Sequence, residues 1–190
     1  MNQNNPMAAS LIEIRRLRDQ SILTDVIFEV NGNKKAAHKI FLVVVSEYCK
    51  KRFLGEWGRL LERGATITPE ILSFESLSAM VDFAYTGEFV APVLRNPTDN
   101  NEIADALDYV LDLLKGTDMW FLDRLHDLAE DFLLSPSISD KWIRVDNVVE
   151  VKKNAKIARA SRLEKHCEDL IVANKEIMEA LAASDEDQAD

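Results

Sequence analysis

The residues whose types could support chemistry begin with a histidine-lysine pair, His38-Lys39. The pair follows two short apolar runs joined by an Asn-Gly turn, and it opens a long apolar segment. A histidine in this position could act as a base, bind a ligand, or only stabilise the fold of a module that binds other proteins. The residues around the pair leave these alternatives open.

A second candidate is the adjacent pair His166-Cys167, because imidazole and thiolate are both zinc ligands. Neighbouring helical residues point about 100° apart, and no second pair of ligands follows at zinc spacing. The only other cysteine, Cys49, belongs to a different predicted element. We therefore predict no metal and no cofactor, and we interpret the two cysteines as reduced, buried residues of an intracellular protein.

Carboxylate pairs are frequent, for example Glu130-Asp131 and Glu168-Asp169. General acid–base catalysis needs a shaped cleft that shifts pKa values, and abundance alone does not supply one. We interpret these pairs as solvated helix faces. The sequence also has no glycine-rich phosphate loop, nucleophile elbow or kinase signature. It therefore predicts neither an enzyme nor a protein that takes a small-molecule substrate.

The composition narrows the classes of partner. The 190 residues are 47% hydrophobic and 29% charged, which is typical of a globular protein. A net charge of −10 repels phosphate backbones and argues against nucleic-acid binding. No apolar run approaches the roughly 20 residues that span a bilayer, and the N-terminus lacks the features of a signal peptide. We predict a cytoplasmic or nuclear protein without membrane contact.

The first half of the chain mixes strands with helices. Leu11, Ile14 and Leu17 are spaced by three residues and predict a short amphipathic helix. "DVIFEV", the turn "NGNK" and "KKAAH" predict a β-hairpin, and "GATITPEI" predicts a third strand. "KIFLVVVSEY" and "CKKRFLGEW" read as a helix pair. "SFESLSAMVDFAY" is a helix that Ser73 caps, and Phe89-Val90 is a candidate for a brief strand.

The second half is predicted to be entirely helical. Gly116 divides its first two helices, "EIADALDYVLDLLKGT" and "MWFLDRLHDLAEDFLL", and Trp120-Phe121 lies in the core near the start of the second. "VDNVVEVKKNAKIARA" and "SRLEKHCEDLIVANKEIMEALAA" supply the last two helices. The final "ASDEDQAD" carries four acids and no base, which is typical of a solvated, disordered tail.

Taken in order, these stretches resemble a BTB/POZ domain. The resemblance rests on "LRDQSILTDVIFEV", on "AAHKIFLVVVSEYCKKRF" and on the junction "FAYTGEF". It implies an α+β fold, with a small three-stranded sheet flanked by helices over residues 8–134. Residues 135–181 are similar to the BACK-like helices that follow many such domains. We expect a disordered leader over residues 1–7 and an acidic disordered tail over 182–190.

The resemblance implies a homodimer and assigns residues to its interface. Leu11, Ile14 and Leu17 would pack across a two-fold axis. His38 matches the family's Ala-His-Lys position, which implies a structural histidine, hydrogen-bonded near the dimer-facing edge, rather than a base. Asp25 is either a plain acid at a strand edge or the buried aspartate that BTB dimers place near their interface, and the resemblance favours the second.

The resemblance also implies a partner surface after the second core helix, where BTB adaptors of cullin scaffolds carry an apolar-x-Glu element. Aligned on Phe53, the apolar position is Trp57, but the acidic position is Arg59, which departs from the pattern. Trp57 is either an exposed binding hot spot or a residue buried under its neighbours. The residues that we assign to this surface are Phe53, Leu54, Trp57, Arg59, Leu60 and Tyr109.

The function implied is a protein–protein interaction module that homodimerises and acts as a substrate adaptor of a cullin-type ubiquitin ligase. The alternative is a dimerisation or scaffold domain of a larger protein without ligase function. Arg59 favours the alternative. The expected partners are a second copy of the chain and a cullin scaffold or another protein.

Overall fold

The structure, a computed structural model, describes residues 6–56, 58, 64–69, 73–91 and 100–175. Within these ranges the strands are β1 (Val26–Val30), β2 (Asn33–Ala37) and β3 (Ala65–Ile67). The helices are α1 (Pro6–Asp19), α2 (Lys39–Val45), α3 (Glu47–Leu54), α4 (Phe74–Thr86), α5 (Asn100–Trp120), α6 (Asp123–Leu134), α7 (Pro136–Trp142), α8 (Val148–Ile157) and α9 (Ser161–Ala173). None of these helices is both long and apolar enough to cross a membrane.

The described residues group into two compact units. The first unit draws on residues 1–90 and 116–125, and it contains the sheet and the first four helices. The second draws on residues 91–115 and 126–190, and it is helical throughout its described part. The predicted fold class, a small three-stranded sheet with helices and a helical C-terminal part, is confirmed.

The sheet has the order β2-β1-β3. β1 pairs antiparallel with β2, as the hairpin signal predicts, and parallel with β3. Asn31 and Gly32 both have positive φ, at 50° and 80°, which is the geometry that an Asn-Gly turn supplies. Val26, Phe28 and Val30 alternate with less buried residues, so one face of β1 belongs to the core of the first unit.

Ser46 separates α2 from α3, where the sequence predicts that helix continues through "KIFLVVVSEY". Its backbone is extended, its Oγ accepts the N–H of Cys49 as the N-cap of α3, and the same Oγ donates to the carbonyl of Trp120 at 2.6 Å. The predicted boundary was therefore wrong by a few residues. A buried serine that caps the next helix stabilises the break at this point.

α4 begins and ends as predicted. The Oγ of Ser73 accepts the N–H of Ser76, and Gly87 ends the helix in the left-handed conformation at φ 66°. The expected strand at Phe89-Val90 was wrong, because all three strands of the described sheet come from residues 26–67. Two residues form too few ladder hydrogen bonds to offset the entropy of ordering them.

The predicted helix break at Gly116 was also wrong, because α5 continues to Trp120. Leu113, Leu114, Thr117 and Trp120 are all buried at helical spacing, and this burial outweighs the roughly 1 kcal/mol that an internal glycine costs. The chain turns instead at Phe121, which has φ 52°. Trp120 therefore ends a helix and is buried as expected, whereas Phe121 is half exposed.

Replacing Ser73 with alanine tests the N-cap of α4. We expect Ser73→Ala to lower the free energy of unfolding by about 1 kcal/mol, because the N–H of Ser76 loses its acceptor. Ser78→Ala is the matched control, since it makes the same change inside α4, where alanine is the better helix former. Urea unfolding measures both variants, and equal stability of the two would contradict the assigned cap.

Candidate protein-interaction surface

His38 lies between β2 and α2, and both of its ring nitrogens are engaged. Its Nδ1 is 2.8 Å from the hydroxyl of Tyr85, and its Nε2 is 3.1 Å from the carbonyl oxygen of Ile22. The hydroxyl of Tyr85 also accepts the backbone N–H of His38 at 2.8 Å. The hydroxyl can therefore donate its own proton to Nδ1, which assigns the ring proton to Nε2. Neither nitrogen is free to act as a base.

Tyr85 lies in the last turn of α4, and its hydroxyl fixes the position of His38. Its ring is buried, stacks on Phe41 with a centroid distance of 4.5 Å, and carries the guanidinium of Arg18 at 4.6 Å from its centroid. Burial raises the pKa of Tyr85 to about 12, although the backbone N–H of His38 and the charge of Arg18 act in the opposite direction. The hydroxyl therefore keeps its proton at neutral pH and remains a donor.

Arg18 attaches the last turn of α1 to its own unit. Its side chain is only 5% exposed, and its guanidinium lies 2.6 Å from Asp82 and 2.8 Å from Asp19. Asp82 also pairs with Lys35 of β2 at 3.1 Å. A buried charge without partners is costly, so these acids are what allow Arg18 to lie against Tyr85.

The loop between α1 and β1 is held in an unusual backbone conformation. Ser21 and Leu23 both have left-handed φ angles, 56° and 59°. For residues other than glycine this conformation costs about 1 kcal/mol or more per residue. The carbonyls of Leu17 and Arg18 accept the N–H groups of Ile22 and Ser21, and the imidazole of His38 donates to the carbonyl of Ile22. Hydrogen bonds to the end of α1 and to His38 therefore both stabilise the conformation of the loop.

Asp25 joins the end of this loop to α2. Its Oδ1 accepts the N–H of Lys39 at 2.7 Å, so the carboxylate caps the first turn of α2, where negative charge is favoured. The backbone N–H of Asp25 donates to the carbonyl of Ala37. The side chain is half-buried, and within a single chain its role is to connect β1, β2 and α2.

Large apolar side chains are exposed on the loop between α1 and β1 and on α2. Leu23 is 67% exposed, Ile40 63% and Val44 76%, while Ile22 is about two-fifths exposed. Ile40 and Val44 share one side of α2 at a spacing of four residues. Hydrogen bonds from His38 and Asp25 join the loop to the start of α2, so we group these exposed side chains as one surface. We call it the apolar face, and it consists of Ile22, Leu23, Ile40 and Val44.

The predicted dimer residues of α1 are only partly exposed in the single chain. Leu11, Ile14 and Leu17 are half-buried in the single chain, and their role across a two-fold axis stays a prediction. Ile12 of α1 is 68% exposed. The sequence does not predict the apolar face. Because α2 is apolar on all sides, its pattern does not reveal which side faces outward.

The predicted partner surface needs one correction. Phe53 is buried, because it lies one turn after Cys49 on the inner side of α3, with the ammonium of Lys39 5.7 Å from its ring centroid. Leu54 at the end of α3 is 61% exposed, and Tyr109 on α5 is half-buried. The expectations for Trp57, Arg59 and Leu60 lie outside the described residues.

Glu130 also differs from its interpretation as part of a solvated helix face. It is 3% exposed, and its carboxylate accepts the N–H of Leu163 at 2.8 Å and the guanidinium of Arg162 at 2.7 Å. It therefore fastens the start of α9 to α6 within the second unit. Glu130 groups with His126 and Asp127 in a spacing that could hold a metal ion, but Arg162 already supplies the positive charge there.

The two cysteines are free and buried. Burial raises the pKa of Cys49 and of Cys167 from 9.0 to about 11. Both thiols therefore remain protonated at neutral pH, and their burial lowers their reactivity.

Comparison with known proteins identifies the fold and its family. The family model described as BTB/POZ domain matches residues 14–137. The chain belongs to the BTB/POZ domain family. The BTB domain of zebrafish PATZ1 matches in three dimensions with a TM-score of 0.53, at 19% identity, over 70% of this chain and 95% of that one. BTB domains mediate protein–protein interactions, so the contacts above belong to an interaction module.

Two kinds of longer protein resemble the chain in sequence. Kelch-like protein 22 of Xenopus tropicalis is 26% identical over 158 residues, which is 83% of this chain and 21% of the relative. Zinc finger and BTB domain-containing protein 7A of Homo sapiens is 29% identical over 130 residues, 62% of this chain and 22% of the relative. The chain thus spans about a fifth of the length of these relatives.

The burial of the two thiols makes stability depend on pH in the alkaline range. The unfolded chain releases the thiol protons near pH 9.0, whereas the folded chain holds them to about pH 11. Their contribution to the free energy of unfolding is therefore complete below pH 9.0 and is lost as the pH rises towards 11. Urea unfolding at a series of pH values should show this fall.

The matched control is the double variant Cys49→Ala with Cys167→Ala, compared over the same pH range. The variant should be less stable at neutral pH, and its stability should fall less steeply between pH 9.0 and 11. Parallel curves for the variant and the unaltered chain would contradict the raised thiol pKa values.

Proposed function

We propose that this chain is a homodimeric protein-interaction module and that it serves as a substrate adaptor of a cullin-type ubiquitin ligase. The observation that carries the dimer is the apolar face. The adaptor role rests on the resemblance to BTB adaptors and on an exposed leucine at the end of α3.

The apolar face supports a second copy of the chain as its occupant. Its exposed side chains come from a loop and a helix that hydrogen bonds join, so the face can meet a partner as one preformed surface. No member carries a charge, so the face repeated in a second copy meets no like charge. An isologous two-fold contact needs a surface that matches itself in this way. Ile12 on α1 offers further apolar area for the same contact.

The helix α1 has a second role in this dimer. Leu11, Ile14 and Leu17 are only half-buried within their own unit, and the remaining exposed area would be covered by the partner copy. Arg18 keeps the last turn of α1 on its own unit through Asp82 and Tyr85. We propose that this anchor lets the first turns of α1 reach across the two-fold axis.

The cullin-facing surface would include Leu54 at the end of α3, together with Trp57 and Leu60, which follow it in the sequence. Leu54 is 61% exposed, and an exposed leucine of this kind suits the apolar centre of an interface. The similarity to Kelch-like protein 22 covers 158 residues, more than the BTB match alone, which supports a BACK-like extension over residues 135–181. Arg59 is the feature that argues against cullin recruitment.

A non-ligase scaffold is the second candidate, and Arg59 favours it. In this reading the chain dimerises a larger protein, and the surface after α3 binds a different partner. The similarity to part of the longer zinc finger and BTB domain-containing protein 7A supports the proposal of a dimerisation domain within a larger protein. Under both proposals the chain is an intracellular, non-enzymatic module that makes its contacts with proteins rather than with nucleic acid, membranes or small-molecule substrates.

Replacing Val44 with aspartate tests the dimer. A carboxylate at the centre of an apolar contact must lose its water, so we expect Val44→Asp to give a folded monomer. Val172→Asp is the matched control, because Val172 has the same 76% exposure but lies on α9 in the second unit. Light scattering coupled to size exclusion measures the mass of each variant. A dimeric Val44→Asp chain would exclude the apolar face as the interface.

Calorimetry with the N-terminal domain of the cullin that binds BTB proteins tests the adaptor role. We expect micromolar binding by the unaltered chain, and at least tenfold weaker binding by Leu54→Asp and by Trp57→Ala, because an apolar anchor is lost. Ile157→Asp, with a similar exposed fraction on α8, should bind as the unaltered chain does. A folded, dimeric chain that fails to bind at high concentration would favour the scaffold.

A further inference from the structure

We propose that Tyr85 is a positioning residue for the dimer: through His38 it holds the loop between α1 and β1 so that Ile22 and Leu23 are presented on the apolar face. This inference rests on the proposed homodimer and deepens it. Tyr85 itself does not belong to the face, since it is 3% exposed and buried at the end of α4.

The connection from Tyr85 to the face consists of two hydrogen bonds in series. The hydroxyl of Tyr85 donates to Nδ1 of His38, and Nε2 of His38 donates to the carbonyl of Ile22. The hydroxyl also accepts the backbone N–H of His38, which fixes the position from which the imidazole reaches the loop. A phenylalanine at position 85 would keep the ring and lose both hydrogen bonds between the hydroxyl and His38.

The loop depends on such support because its backbone is strained. Ser21 and Leu23, on either side of Ile22, are both left-handed. The hydroxyl of Thr24 donates to the carbonyl of Ser21, and the N–H of Ile22 donates to the carbonyl of Leu17. These contacts are local, whereas the imidazole of His38 joins the middle of the loop to a residue beyond β2, as the carboxylate of Asp25 does at the end of the loop. Without the bond from His38 the loop can relax, and ordering it again on association would weaken binding.

Arg18 makes Tyr85 a common support for the start and the middle of the loop. The guanidinium over the tyrosine ring fixes the last turn of α1, which leads into the loop, while the hydroxyl fixes the histidine that contacts its middle. The stack of Phe41 on Tyr85 adds the first turns of α2, which carry Ile40. The ring and hydroxyl of one residue thus align the loop and the helix that make up the face.

The test compares Tyr85→Phe with Tyr48→Phe. Tyr48 also loses one hydroxyl hydrogen bond, to Arg52, and its ring stacks on Trp120 away from the loop. The dimer dissociation constant is measured by sedimentation equilibrium, and folding by circular dichroism. We expect Tyr85→Phe to dissociate about tenfold more readily, because both hydrogen bonds between the hydroxyl and His38 are lost in each protomer, while Tyr48→Phe stays within about twofold.

A double-mutant cycle separates positioning from a general loss of stability. In a Leu23→Ala background the side chain to be positioned is gone, so we expect Tyr85→Phe to change the dissociation constant by less than about threefold. Its effect on the thermal unfolding of the chain should be the same in both backgrounds. An undiminished effect on dissociation beside Leu23→Ala would overturn the inference.

His38→Ala is a second variant in case Tyr85→Phe does not fold. It leaves the packing of Tyr85 intact, breaks the link to Ile22, and should weaken the dimer to a similar extent. A dimeric unaltered chain whose dissociation constant does not respond to either substitution would refute the positioning role alone. An unaltered chain that is monomeric at every concentration would refute the homodimer, and the positioning role with it.

Discussion

The buried contact between Arg18 and Tyr85 is the interaction on which the first unit depends. It brings together the end of α1 and the end of α4, which are far apart in the sequence, and it requires Asp82 to balance the charge of the guanidinium. Once Tyr85 is fixed, its hydroxyl can engage both the backbone and the ring of His38. The junction between hairpin, loop and α2 follows from that position.

The same junction explains why apolar side chains are left outside. The loop carbonyl of Ile22 is held by His38, and the first turn of α2 is capped by Asp25, so both segments are rigid next to one another. Rigid segments cannot withdraw Leu23, Ile40 or Val44 from water, and exposed apolar area of this kind is costly for a chain that stays alone. In the proposed dimer, association with a second copy would relieve that cost without any rearrangement of the loop.

The second unit has a different kind of anchor. Glu130 is buried beside Leu163 and pairs with Arg162, so that a single carboxylate satisfies the start of α9 and fixes it against α6. Its role is structural, like that of His38 in the first unit. Two groups that could suggest chemistry instead hold the fold together, namely the imidazole of His38 and the carboxylate of Glu130, and the thiols of Cys49 and Cys167 are buried.

Much of the fold could be predicted because its signals are local. The Asn-Gly turn, the alternation in β1, the cap at Ser73 and the glycine that ends α4 are each set by neighbouring residues. The helix through Gly116 could not be predicted, since burial of Leu113, Leu114 and Trp120 decides it. The apolar face was missed for a similar reason: which side of the wholly apolar α2 faces outward depends on the rest of the fold.

The resemblance predicted a hydrogen-bonded His38, which the structure shows, whereas the sequence did not reveal that Glu130 is buried. A resemblance supplied the setting of the histidine, whereas a carboxylate among many others carries no sign that it will be buried. The partner of Tyr85 was equally hidden, because Arg18 and Tyr85 are separated by most of the first unit and only the folded chain brings them together. Sequence patterns extend over three or four residues, so they do not reveal a contact between residues that lie this far apart in the chain.

The most direct test of the account is the mass of the unaltered chain in solution, measured by sedimentation velocity from nanomolar to high micromolar concentration. The account predicts a reversible dimer of twice the chain mass of 21.5 kDa, which dissociates on dilution without loss of helical structure. A single species of 21.5 kDa at every concentration would contradict it. The exposed leucine, isoleucine and valine of the first unit would then belong to a contact with another protein.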